Sequence, residues 1–389
     1  MNAVTHGVAA NPQAHAQLPA RLVLLGTGTV GGAVLQRLDR WAGTSLGHGL
    51  SLVYVANSRT AYTPASGGRR LREAPDAAKT EPGQGVLRSF QPAPFAGATG
   101  LDQVTAALGQ HGTRIIIDAT PSEAVAERHA GWLAQGIHVV TACKLAQGTG
   151  LARWHAIRAG CTRGHTEYGD AATVGAGLPL LRSIRDLRAG GDRIRAVAGV
   201  LSGSLAWLFN HYDGLRPFSG FVREACKAGY TEPDPREDLS GEDVRRKLLI
   251  LARAAAVELE ADEVEVESLV PPALAALRPE QVDAALPMLD PALRERFAAA
   301  YKSGAKLRFI ARLECEGSGR VRARIGLEPL AADHPLAGGA GTDNRVAIWS
   351  DRYSSQPLLI QGPGAGAEVT AAGLLDDVLR IARTGSRLA

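Results

Sequence analysis

The stretch from Gly229 to Lys247 reads G-Y-T-E-P-D-P-R-E-D-L-S-G-E-D-V-R-R-K and concentrates carboxylates beside a lysine. Asp243 and Lys247 stand four residues apart, one turn of a helix, so their charges share a face. Lys247 opens the apolar run L-L-I-L-A. A lysine at such an edge is part-buried, its charge balanced by Asp243, and a group of that kind can donate or accept a proton. The plainer reading is a charged loop, a capped helix and a surface ion pair. A second lysine, Lys144, follows V-V-T-A-C, which places it at the carboxyl edge of a strand. Cys143 beside it is a candidate nucleophile. No histidine motif accompanies it, and thiols next to strands are usually packing groups.

Gly26-Thr27-Gly28-Thr29-Val30-Gly31-Gly32 contains G-x-G-x-x-G, with a strand before it and an apolar-periodic helix after it. That context fits a dinucleotide: Gly26 for the tight turn, Gly28 for close approach of backbone to pyrophosphate, Gly31 for helix–strand packing. Thr29 and Val30 begin the helix, whose N-terminus favours an anion. A plain tight turn is the alternative. The second strand runs into Asn57-Ser58-Arg59, where an NAD site usually carries an acid for the ribose hydroxyl. An arginine suits a 2′-phosphate, so NADP is favoured, with NAD as the alternative. Arg59 is otherwise a solvated loop residue. Thr120, in D-A-T-P-S, sits where loops after parallel strands line a ligand crevice, and Ser122 is also a good N-cap.

The elements that must carry these groups follow from the pattern. Short apolar runs at 21–26, Leu50–Ala56, 114–119 and His138–Thr141 alternate with helical stretches, including one from about Ser122. This predicts an α/β fold with a Rossmann-type doubly wound parallel sheet. Residues 60–110 are rich in Gly, Pro and Ala and read as loop plus one helix. The two prolines before Asp238 argue against helix there, and Ser240 reads as the N-cap of the next helix, with Asp243 completing a capping-box-like pattern. After about residue 150 helices dominate, at 178–189, 218–228 and 241–257. Two alternating strands follow, around Leu307–Leu313 and Val321–Leu327 in register, then strand-like 346–353 and 357–361 and a last helix at 369–383. The expected second unit is an α+β catalytic and dimerisation domain. The expected divisions are a disordered tail at 1–20, a cofactor domain at 21–150, the second domain at 151–345, and a segment at 346–389 that returns to the cofactor domain.

Composition narrows the class. With 43 basic and 39 acidic residues the net charge is +4, and no basic stripe with interleaved aromatics is present. Arg69, Arg70 and Arg72 are the only tight basic cluster outside predicted helices. Nucleic acid is therefore not an expected partner. Four scattered cysteines give neither a disulfide framework nor metal-ligand spacing. No apolar run reaches membrane-span length, and residues 1–20 lack the features of a secretory signal. The expectation is a cytoplasmic protein without a membrane partner.

Taken in order, G-T-G-T-V-G-G, V-A-N-S-R, V-V-T-A-C-K, A-T-V-G-A-G-L-P, G-V-L-S-G-S-L, the long acidic motif and Q-G-P-G-A-G resemble the homoserine dehydrogenase family over nearly the whole chain from about residue 20. The resemblance implies NADP-linked interconversion of aspartate 4-semialdehyde and homoserine, in aspartate-family amino-acid biosynthesis, by a homodimer. It implies Lys247 as general acid/base, Lys144 between cofactor and substrate, and Glu232 on the substrate's amino group. Asp238 and Asp243 become acids of the substrate pocket, Gly203 and Ser204 its loop, and Gly364 a C-terminal glycine at the cofactor. A sodium ion on backbone oxygens of Val174, Ala176 and Leu178 is a further implication. Two departures stand out: Ala171 occupies the usual glutamate position, with Asp170 before it, and Ala142-Cys143 precede Lys144 where asparagine is common. The chain leaves no room for a fused kinase or a C-terminal regulatory domain.

Overall fold

A computed structural model of the chain describes residues 18–64, 69–70, 87, 90–95, 97–316 and 319–385. Residues 1–17 of the expected tail at 1–20, and Arg72, lie outside the described residues, and a strand already begins at Ala20.

The first layer is an eight-stranded sheet built from β1 (Ala20–Leu25), β2 (Leu50–Ala56), β3 (Thr60–Pro64), β4 (Arg69–Arg70), β5 (Phe90–Pro94), β6 (Arg114–Asp118), β7 (His138–Thr141) and β8 (Tyr168–Gly169). Its order is β5-β3-β2-β1-β6-β7-β8, with β4 also paired to β2. The run β2-β1-β6-β7-β8 is parallel throughout. Strand β2 keeps all seven residues buried, as a strand covered on both faces requires. Helices α1 (Thr29–Trp41), α2 (Gly97–Leu108), α3 (Glu123–Ala134) and α4 (Leu151–Gly164) flank it. The chain reverses direction across the sheet between β1 and β6, the place where such folds open a crevice.

The segment at 60–110 differs from its expected loop and single helix. Strand β3 pairs antiparallel with β2, and β5 pairs antiparallel with β3, ahead of α2. The prolines are tolerated because Pro64 ends β3 and because Pro92 and Pro94 lie on β5, the edge strand, where a missing donor is tolerated.

The second layer is a six-stranded sheet formed by β9 (Ile194–Val200), β10 (Val264–Val266), β11 (Lys306–Cys315), β12 (Val321–Leu330), β13 (Asp343–Ser350) and β14 (Leu358–Pro363). Its order is β10-β12-β11-β9-β13-β14, antiparallel apart from β10 with β12. One face is covered by α5 (Leu180–Ala189), α6 (Gly203–His211), α7 (Phe218–Lys227), α8 (Pro235–Leu239), α9 (Glu242–Ala254) and α12 (Asp290–Lys302), with short α10 (Pro272–Ala275) and α11 (Pro279–Ala285) beyond. Strands β13 and β14 belong to this sheet. Only the last helix, α13 (Ala367–Gly385), lies back on the first sheet, where Leu374, Leu375, Val378 and Ile381 join the core with Leu22, Leu24 and Ile117. Glu368 at its start meets Arg37 and Arg40 of α1. Among the described residues no helix is long and apolar enough to cross a membrane.

Two local expectations change. Helix α8 forms despite the prolines, because Pro235 occupies its first turn, where the missing N–H would have no partner, and Asp234 caps it. Ser240 is not the N-cap of α9. Gly241 takes that place at φ +82°, and Ser240 Oγ donates to Glu237 O while accepting from Glu242 N. Asp243 is thereby left free of capping and available to lysines.

Candidate active site

The glycine turn sits at the reversal point of the first sheet. Gly26 holds φ +96°, and a Cβ there would lie 2.6 Å from Ala119 O of the neighbouring strand end. A Cβ at Gly31 would lie 1.9 Å from Gly26 O. At Gly28 nothing stands within 4 Å, so this backbone is open to a ligand. It is also the N-cap of α1 and carries no side-chain cap. Asn57 closes the other wall: its Nδ2 donates to Thr27 Oγ1 at 2.9 Å, and its Oδ1 accepts from Arg59 N and Thr60 N. That turn leaves Arg59 exposed beside the cleft. Thr120 is fixed by bonds from its N and Oγ1 to Asp118 Oδ1, and Ser122 caps α3. Together Gly26, Gly28, Asn57 and Thr120 line a cleft of about 680 Å³, a volume in the range of small-molecule and cofactor sites.

The lysines meet across the two layers. Lys247 Nζ donates to Asp243 Oδ2 and to Leu201 O, both at 2.8 Å. Lys144, from the loop after β7, reaches Asp243 Oδ1 at 3.4 Å. One carboxylate thus bridges two ammonium groups. Burial works to raise the Asp243 carboxyl, but the two lysines outweigh it and hold it well below the ordinary carboxylate range. Its folded value lies below the unfolded 3.8, so its contribution to stability is present above pH 3.8 and fades as pH falls further. The Asp243 carboxyl therefore stays ionised at neutral pH, set between the two lysines.

A polar chain begins one residue from Leu201. Ser202 Oγ caps α6 and lies 2.8 Å from Ser204 Oγ; Ser204 Oγ donates to Asp238 Oδ1 at 2.7 Å; Asp238 Oδ2 accepts from Glu232 N at 2.8 Å. Asp238 thus fixes the loop bearing Glu232. The Glu232 side chain is exposed and has no partner among the described residues, so its carboxylate is available to a ligand cation. Gly203 packs against Thr342, and a Cβ at Gly364 would strike the buried Asn344 side chain at 2.0 Å. Leu201, Ser202, Thr342 and Asn344 were not singled out in the sequence. Only Ser202 carries a readable sign, as an N-cap before an apolar run. Arg253 was also passed over: it is 3% exposed and donates to the carbonyls of Gln147 and Thr149, so it ties α9 to the loop that begins at Lys144.

The 174–178 turn stands apart from this cluster. Its carbonyls at Val174, Ala176 and Leu178 fall where Gly175 and Ala176 take φ +75° and +53°, packed against α13. Leu178 O accepts from Leu180 N. Asp170 does not supply a ligand in the glutamate's place, because both its oxygens take the Arg185 guanidinium at 2.6 Å and one takes Gln147. Among the described residues no three His, Cys, Asp or Glu gather as a metal site.

Cys143 is 4% exposed, and burial pushes its thiol up to about 11. It is a packing group. Alkylation with iodoacetamide at pH 8 is expected to leave Cys143 unmodified and activity intact, read by peptide mass spectrometry. Rapid loss of activity with labelling at Cys143 would restore the nucleophile.

Comparison with known proteins follows the two layers. The family model described as homoserine dehydrogenase, NAD binding domain, matches residues 26–167, and that described as homoserine dehydrogenase matches 179–379. The chain is 33% identical over 379 residues to a homoserine dehydrogenase of Emericella nidulans, covering 93% of this chain and 98% of that one. It is 41% identical over 271 residues to a chloroplastic bifunctional aspartokinase/homoserine dehydrogenase of Zea mays, covering 69% of this chain. The chain spans 29% of the length of that bifunctional relative. A crystal structure of a Candida auris protein of unknown function superposes with TM-score 0.81 at 31% identity, covering 94% of this chain and 98% of that one. A hyperthermophilic archaeal homoserine dehydrogenase in complex with NADPH shares the fold, with TM-score 0.69 at 18% identity, covering 94% and 98%.

Proposed function

The chain belongs to the homoserine dehydrogenase family, and from that premise we propose that it interconverts L-aspartate 4-semialdehyde and L-homoserine with NADP as coenzyme, in aspartate-family amino-acid biosynthesis. The observation that carries the reading is the Lys144–Asp243–Lys247 bridge set beside the free Glu232 carboxylate. Glu232 takes the substrate's ammonium, which orients the aldehyde toward the lysines. NADPH, when bound along Gly26–Gly31 with Thr120 and Gly364 alongside, supplies the hydride. Lys247 gives its proton to the oxygen that becomes anionic, and Lys144 stabilises that charge in place. Asp243 pairs with both lysines and aims them. Ser204 and Asp238 hold the Glu232 loop, with Gly203 allowing its close turn.

The finer coenzyme choice rests on Arg59, exposed where an acid would serve NAD. Arg59→Ala is expected to raise KM for NADPH about tenfold, the loss of one charge-assisted phosphate contact, with KM for NADH unchanged. A monovalent ion on the carbonyls of Val174, Ala176 and Leu178 belongs to the same reading, since a neutral donor set suits sodium better than a divalent cation. We also read a cytoplasmic homodimer. We read the cofactor unit as 21–150 extended by α4 and β8 and completed by α13, and the catalytic and dimerisation unit as the remainder of 151–345 completed by β13 and β14.

The test follows the absorbance of reduced nicotinamide with aspartate semialdehyde, with NADPH and NADH in turn, and in reverse with homoserine. Turnover in both directions is the expected result. A folded protein that binds NADPH and turns over neither substrate rejects it.

A further inference from the structure

A second cavity, of about 710 Å³, lies between α4, α5, α9 and α13, and neither lysine, the glycine turn nor Glu232 lines it. Its wall is rich in guanidinium groups. Arg185 is committed to Asp170, and Arg380 to Asp377 and Glu167. Arg158, Arg182, Arg188 and Arg253 remain, and none has a carboxylate at ion-pair distance among the described residues. Arg158 lies over the Trp154 ring, and Arg188 donates only to Ala254 O. Facing them, Asp186 is the one acid of the wall without a basic partner.

Arg253 is the telling member. It is 97% removed from solvent by its 3% exposure, and its Nε has no hydrogen-bond partner. Its other nitrogens meet only backbone carbonyls. Burial pulls the guanidinium down to about 10, so it remains a cation at neutral pH. Glu260 acts on it from beyond ion-pair distance and balances the charge only in part, and four cations without an ion pair around one cavity repel each other. Neutral ligands would leave that repulsion in place, a monoanion would leave it largely in place, and a cation would worsen it.

We propose that this cavity binds a small dianion, a phosphate monoester or a dicarboxylate, with Arg158 and Arg182 reading its two charged ends at the mouth and Arg253 supplying the positive floor. Guanidinium groups suit either ligand, since both present paired oxygens at the fork's spacing. The site is separate from the cleft proposed for the coenzyme, and its occupant is a second small molecule.

The test is isothermal titration of the whole protein with inorganic phosphate and with succinate, in the presence of saturating NADPH so that the glycine turn is filled. Arg158 and Arg182 are exposed, so Arg158→Ala and Arg182→Ala leave the fold intact, checked by circular dichroism. Binding of either probe in the millimolar range or tighter is expected, weakened about tenfold by each substitution. Phosphate alone binding assigns a phosphate monoester, and succinate alone a dicarboxylate. Binding of neither, or binding unchanged in the doubly substituted protein, overturns the proposal. Displacement of either probe by NADPH also overturns it, since the anion would then sit in the coenzyme cleft. Heat of binding needs no turnover, so these outcomes stand whether or not the dehydrogenase reading holds.

Discussion

Lys247→Met is expected to lower kcat by roughly 10²- to 10⁴-fold in both directions, the usual worth of a positioned proton donor, with NADPH affinity unchanged. The side chain is 11% exposed and its Nζ is held by Asp243 and Leu201 O, so its proton is aimed and not wandering. Methionine keeps the length and most of the packing. Asp243 is not orphaned by the change, because Lys144 still faces its other oxygen at 3.4 Å. The folding cost is then close to that of one unpaired carbonyl at Leu201, about 1–3 kcal/mol. Steady-state rates measured beside NADPH binding by fluorescence separate chemistry from binding. A variant with parental kcat removes Lys247 from proton transfer, and a loss confined to KM turns it into a docking group.

The second large effect lies at Gly31, and its neighbour supplies the control. A methyl group at Gly31 would be 1.9 Å from Gly26 O, a backbone atom with no freedom to yield. Gly32, one residue on in the same helix, has nothing within 4 Å. Gly31→Ala is therefore expected to destabilise by about 3 kcal/mol through overpacking. That is roughly 6–12 °C in Tm, at about 2–4 °C per kcal/mol for a unit of this size. NADPH binding should be lost with it, because the displaced backbone is the part that meets the pyrophosphate. Gly32→Ala gains helix propensity without a clash and should raise stability by about 0.5–1 kcal/mol. Thermal melts of the two variants side by side decide the matter: equal behaviour would mean that the turn relaxes freely and that close approach is not what glycine provides there.

The parts of this molecule that were legible are those whose signal is local. Strand β2 and strand β7 have the bounds that their apolar runs suggest, and the glycine turn stands where strand and helix flank it. Asp243 and Lys247 pair as their spacing on one helix face implies. What was missed depends on distant neighbours. Strand β9, I-R-A-V-A-G-V, lies between β11 and β13 and buries most of its residues on both faces; a Cβ at Gly199 would come within 2.7 Å of Arg345 O. Its role at the centre of a sheet leaves no alternation to read. Strand β5 at the sheet edge and β3 inside it have a composition that otherwise marks loops. The approach of Lys144 to Asp243 joins residues about a hundred positions apart on different layers, and the acceptor at Leu201 is a carbonyl that every residue type possesses. The sequence left open whether Asp170 replaces the missing glutamate; Arg185, fifteen residues on, takes both its oxygens.

The return of α13 to the first sheet has a consequence for synthesis. The face that Leu374, Leu375, Val378 and Ile381 cover belongs to strands made long before α13, the helix that completes its cover. Until α13 has been made, a nascent chain carries that sheet with one greasy side covered only in part, by α1. The N-terminal unit cannot finish folding in the order in which it is made, and the middle of the chain must fold while that side is shielded by something else. A chaperone's attention, or a pause late in translation, would matter more for this topology than for one whose first domain closes on itself.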